Sequence, residues 1–98
     1  MSNAPLAPNL DLCLVGTLNQ DYDYITGADT MEGAIDVVVD EATPEERRDL
    51  RKEISDFLQL SEEEIKEEFA MRWKDISPDY AKIFLTYFLE SIDRHSDL

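Results

Sequence analysis

All-α, a single small bundle of four or five helices, is the fold that this 98-residue sequence predicts. Two helix starts are written out in full. Thr43-Pro44-Glu45-Glu46 and Ser61-Glu62-Glu63-Glu64 each put a hydroxyl cap three residues before a Glu. That is the spacing at which cap and Glu satisfy each other's backbone N–H groups. Behind both starts, apolar residues recur at helical intervals, and the final third of the chain holds a stretch apolar over most of its girth.

Taken in order, the first helix spans about Asn9 to Thr17 and carries Leu10, Leu12, Cys13, Leu14 and Val15. It is short, and strand-like alternation reads almost as well. Gly27 breaks the chain. Asp29 then offers an N-cap with Glu32 three residues on, and Met31, Ala34, Ile35 and Val38 keep helical spacing although Val37, Val38 and Val39 favour strand. From Thr43, the residues Leu50, Ile54, Phe57 and Leu58 fall within roughly 100° of one another, a core-facing stripe. Ile65, Phe69 and Trp73 form the next stripe. Ser77-Pro78 supplies a cap followed by a proline at the first helical position. The helix it opens has Tyr80, Ile83, Phe84, Tyr87, Phe88 and Ile92 among the residues of an apolar arc of roughly 240°, leaving Lys82, Thr86 and Asp93 on the polar side. A helix of that kind belongs in the middle of a bundle. Residues 1–8 are expected to be a tag scar and a disordered N-terminus, with residues 9–98 forming a single helical domain. A chain of this length buries roughly 60–65% of its unfolded surface, enough for one core.

Charge narrows the function. The chain has 23 Asp and Glu against 9 Lys and Arg, a net charge of −14, and residues 1–46 contain ten acids and no Lys or Arg. Direct binding to nucleic acid needs a basic face, so it is excluded as a reading. A 43% hydrophobic content speaks against disorder. No apolar run approaches the ~18 residues of a membrane helix. Cys13 is the only cysteine, which rules out an intrachain disulfide and suits a reducing cytoplasm. A field of one sign over half of a small domain favours fast association with a basic protein.

The segment Asn19–Glu32, NQDYDYITGADTME, poses the sharpest choice. Counted as a calcium loop from Asp21, it has acids at the first, third, ninth and twelfth places (Asp21, Asp23, Asp29, Glu32). Ile25 falls at the fifth place, where an oxygen ligand belongs, and Thr26 at the sixth, where the turn needs Gly. No metal and no cofactor is therefore expected. Nor is the chain expected to be an enzyme. His95, its only histidine, lies near the end where chains fray, and Cys13 has no base beside it. The basic run Arg47 to Lys52 has Glu45, Asp49 and Glu53 within a helical turn, which favours local pairs on a solvated face. Tyr22 and Tyr24 alternate with Asp21 and Asp23, with one of the rings expected to staple the loop to the bundle. Charge and rigid aromatic area side by side suit a protein interface. The expected partner-binding set is Asp21, Tyr22, Asp23, Tyr24, Asp29, Glu32, Asp36, Asp40 and Glu41.

The stretch LNQDYDYITGADTMEGAIDVVVDEATPEERRDLRKEI resembles small bacterial immunity proteins of contact-dependent growth inhibition systems, the CdiI type. That family pairs a short first helix with an aromatic-His-Gln-Asp-aromatic-Asp motif, matched here by Gln20-Asp21-Tyr22-Asp23. A TPEE-like start and a Leu-rich helix follow, matched by Thr43-Pro44-Glu45-Glu46 with Leu50 and Ile54. The likeness covers about Leu10 to Leu60, and Leu18 and Asn19 stand where the family favours an aromatic residue and a histidine. The resemblance implies a cytoplasmic protein that binds and neutralises a cognate toxin C-terminal domain. Many such toxins are nucleases with basic clefts, in which carboxylates can lie where phosphates would. The alternative is an acidic helical adaptor or nucleic-acid mimic that regulates another basic protein. An adjacent toxin gene separates the two.

Overall fold

A computed structural model describes residues 7–18, 21–74 and 76–96. The described residues fold as α1 (Pro8–Gly16), α2 (Tyr22–Thr26), α3 (Met31–Glu41), α4 (Pro44–Phe57), α5 (Glu62–Arg72) and α6 (Ala81–Ser96), with no strand among them. Five helices have nine residues or more, as expected; the sixth, α2, is a five-residue piece within the segment read as a loop. A radius of gyration of 12.6 Å agrees with the ~13 Å of a compact chain of 100 residues.

Both predicted capping boxes form. Thr43 Oγ1 accepts from Glu46 N at 3.1 Å while Glu46 Oε1 accepts from Thr43 N at 2.9 Å. Ser61 and Glu64 repeat the exchange at 3.2 Å each way. Start signals elsewhere are settled differently. Thr30, not Asp29, caps α3, its hydroxyl accepting from Gly33 N at 3.0 Å. Gly33 lets this turn close: a Cβ there would lie 3.2 Å from Ala28 Cβ and 3.3 Å from Thr30 Oγ1. Ser77-Pro78 opens a 3-10 turn over Pro78–Tyr80 without a side-chain cap, and α6 follows at Ala81. The start of α1 has no local side-chain cap, and one of its first N–H groups is met from α4. Glu53 accepts from Leu10 N at 3.0 Å and from the side-chain Nδ2 of Asn9 at 2.7 Å. Its carboxylate therefore sits at the positive end of the α1 dipole and is not spent on a neighbouring base.

The core gathers around α6, which packs against α3, α4 and α5. Phe84, Leu85, Phe88 and Ile92 are fully buried. Aromatic rings run edge-on through the middle, with centroids 4.8 Å apart for Phe69–Trp73, 6.1 Å for Phe69–Phe84 and 5.8 Å for Phe84–Phe88. Offset and edge-to-face contacts of this kind add to area burial. The α4 stripe is buried at Leu50, Ile54 and Phe57, with Leu58 partly so. Ile83, read as part of the apolar arc, is instead 60% exposed among the polar residues of the outer side of α6.

Phe84→Ala and Phe88→Ala should each lower stability by about 3–5 kcal/mol in urea unfolding. The exposed Ile83→Ala should stay within about 0.5 kcal/mol of wild type. Wild-type unfolding of both phenylalanine variants would contradict this core.

Candidate protein-binding face

Four of the nine bases of the second half of the chain pair with acids of that same half. Arg51 pairs with Asp93 at 2.9 Å, Lys52 with Asp56 at 3.5 Å and Lys66 with Asp79 at 3.6 Å. Arg72 lies 3.0 Å from the buried Glu68 and stacks over the Phe57 and Trp73 rings. Two bases reach back to the first half. Arg47 closes the C-terminus of α3, donating to Val39 O at 2.8 Å and Asp40 O at 3.0 Å, in the last turn where helix carbonyls run short of partners. Arg94 reaches Asp36 at 3.1 Å. The run from Arg47 to Lys52 thus makes one local ion pair, Lys52–Asp56, and ties helices together through Arg47 and Arg51, with Arg48 exposed.

Within the base-free half, the expected partner-binding residues divide. Glu32, Asp36 and Asp40 recur every four residues, which sets them on one stripe of α3. That stripe meets a matching row of donors. Tyr80 Oη donates to Glu32 at 2.6 Å; Tyr87 Oη and Ser91 Oγ donate to Asp36 at 2.9 and 2.6 Å. His95 Nε2 lies 3.9 Å from Asp40, its other ring nitrogen 2.8 Å from Ser91 O. His95 is therefore part of α6 and of this row. Partners advance together along the two elements, so α3 and α6 run in the same direction. The Tyr80 bond and the Glu32 backbone N–H hold the Glu32 carboxyl below the ordinary range, while burial and the Glu32 bond push the Tyr80 hydroxyl up.

The remaining acids face water. Asp21, Asp23, Asp29 and Glu41 are exposed, and Asp23 accepts from Tyr24 N at 2.9 Å. Short α2 rests on α3 and ends at Gly27, whose φ of 77° lies in the left-handed region. The two tyrosines divide as expected: Tyr22 packs against the core, whereas Tyr24 is 91% exposed. Gln20 and Asn19 of the motif lie outside the described residues. Leu18, at the family's aromatic position, is fully buried.

Sequence reading had not singled out the surface of α1. Leu12 and Val15 are 71% and 63% exposed on it. Beside Leu12 runs a groove of about 220 Å³ between α1, the end of α3 and the start of α4, lined by Cys13, Val38, Ala42 and Leu50 with Glu41 and Glu46. Burial, then Glu46 and Glu53, push the Cys13 thiol up to about 11, which makes it a poor nucleophile. The nearly continuous apolar run from Leu12 to Val15 carries no sign of which side is covered; the docking of α1 through Leu10 and Leu14 decides it.

An all-α domain with one acidic, base-free half and an aromatic ring in solvent defines a protein-binding module. The chain belongs to the family described as CdiI immunity protein, whose model matches residues 7–96. It is thus an immunity protein that neutralises a cognate toxin. No curated protein and no solved structure matches it. Among the described residues, no helix is long and apolar enough to cross a membrane.

Because the folded Glu32 carboxyl titrates below its unfolded value, the bond from Tyr80 stabilises at neutral pH and is lost as pH falls through the folded value. Tyr80→Phe should cost about 1 kcal/mol at pH 7, solvent at the site keeping it low. The gap to wild type should close on acidification below about pH 4. A gap that stays constant from neutral to strongly acidic pH in urea unfolding would contradict the assignment.

Proposed function

We propose that this immunity protein acts in the bacterial cytoplasm by covering the basic substrate cleft of a nuclease toxin domain with its base-free half. One observation carries the reading: Tyr24 stands 91% exposed between exposed carboxylates, in a half of the chain with no Lys or Arg. Tyr offers large, rigid contact area at small entropic cost, and it is enriched where proteins bind each other. The contact residues are Asp21, Asp23, Tyr24, Asp29 and Glu41. Tyr22, Glu32, Asp36 and Asp40 support them and add to the field, with Asp36 partly offset by Arg94. In this reading the carboxylates occupy positions that phosphates take in the toxin's substrate, and the ring fills the space between them.

Exposed rim charges act mainly on association, whereas desolvated anchors act on dissociation. With the purified cognate toxin domain, Asp29→Asn should slow association, an effect that fades as salt shortens the Debye length from about 10 Å to a few Å. Tyr24→Ala should weaken binding by about 2 kcal/mol or more through faster dissociation, and release nuclease activity. Asp49→Asn, an exposed acid on α4, should change neither rate. Wild-type rates for Tyr24→Ala, or equal effects from Asp29→Asn and Asp49→Asn, would contradict the proposed face.

A further inference from the structure

We infer that the groove beside α1 is the anchoring pocket for the toxin, taking one aliphatic side chain that is flanked on the toxin surface by Lys or Arg. The inference rests on the reading that a cationic toxin domain meets the base-free half. Its own basis is the groove. Cys13, Val38, Ala42 and Leu50 give it apolar wall area beside the polar Asn9 and Thr17, and Leu12, also on its lining, is 71% exposed. A single exposed Leu needs no explanation, but one continuous with the apolar part of a recess adds contiguous area of the kind that binding sites use. At about 220 Å³ the recess falls short of the roughly 300–1,000 Å³ of small-molecule pockets, and suits a single inserted side chain.

Charge selects the occupant. The lining includes the carboxylates of Glu41 and Glu46 and no base. The field of Glu46 reaches inside: burial first, then Glu46 and the nearby Glu53, raise the Cys13 thiol. A second copy of this chain, at net −14, would bring like charge to the same mouth, as would an anionic lipid surface. A toxin residue such as Leu or Ile beside Lys or Arg satisfies both walls and rim. Glu41 is the better cation partner of the two, because Glu46 is already bound to Thr43 N.

The test uses the full chain and the purified cognate toxin domain. Leu12→Asp should leave the thermal midpoint unchanged, because the side chain is exposed, and should speed dissociation at least tenfold. Glu41→Gln should slow association several-fold at low salt and far less at high salt. If both variants keep wild-type rates while Tyr24→Ala loses binding, the pocket is overturned and the acidic-face reading stands. If all three bind as wild type, both fall. Loss of binding by Leu12→Asp alone supports the pocket and moves the interface away from α2. Self-association of the free chain that Leu12→Asp abolishes, with toxin binding intact, overturns the pocket in favour of a second copy.

Discussion

Asp36 accepts from Tyr87, Ser91 and Arg94, three residues of α6, and with Glu32–Tyr80 and Asp40–His95 it forms a polar seam along α3. This seam is what the arrangement of the acidic half depends on. Helix α6 is held from inside by burial of Phe84, Phe88 and Ile92, but burial alone is non-directional and would tolerate rotation of α3. A row of hydrogen bonds to charged acceptors fixes rotation and register together. Because α2 rests on α3, the seam also sets where Asp21, Asp23 and Tyr24 stand. Tyr and Ser donors engage the carboxylates without cancelling their charge, so most of the negative field survives the packing.

The acids of the first half therefore divide between two tasks. Asp11 accepts from the Trp73 indole at 2.9 Å, Glu46 completes a capping box, and Glu32 and Asp36 hold α6. Asp21, Asp23, Asp29 and Glu41 stay in water. Self-repulsion among so many like charges costs stability. Placing bases at the end of α3 and in cross-helix pairs offsets that cost away from the exposed face. Arg47 illustrates the arrangement: its charge is directed at the C-terminal carbonyls of Val39 and Asp40, where it complements the helix dipole and leaves the carboxylate of Glu41 exposed.

Local signals in the sequence proved readable wherever the physics was local. Thr43–Glu46 and Ser61–Glu64 interact across three residues and formed as their spacing required. Phe84 and Phe88 were legible because an apolar arc of that width has to be covered. The misreadings share a cause. Asp29 and Thr30 are both competent caps, and close packing of Gly33 against Thr30 and Ala28 accompanies the choice of Thr30. Glu53 is 43 residues from Leu10, and Asp36 is 51 from Tyr87, separations at which no spacing rule operates. Tertiary docking also decided the exposure of Leu12 and Val15, since α1 is apolar on several sides and its docking, mainly against α4, selects which are buried.

Amide hydrogen exchange of the chain, alone and saturated with its cognate toxin domain, tests the central claim most directly, because it maps the contacted face without altering any residue. Slowed exchange in the complex should concentrate in α2, the C-terminal turn of α1 and the end of α3, with α5 and the Ile83 side of α6 unchanged. New protection confined to α5 or to the Ile83 side of α6 would place the toxin on the opposite half of the chain and contradict the account.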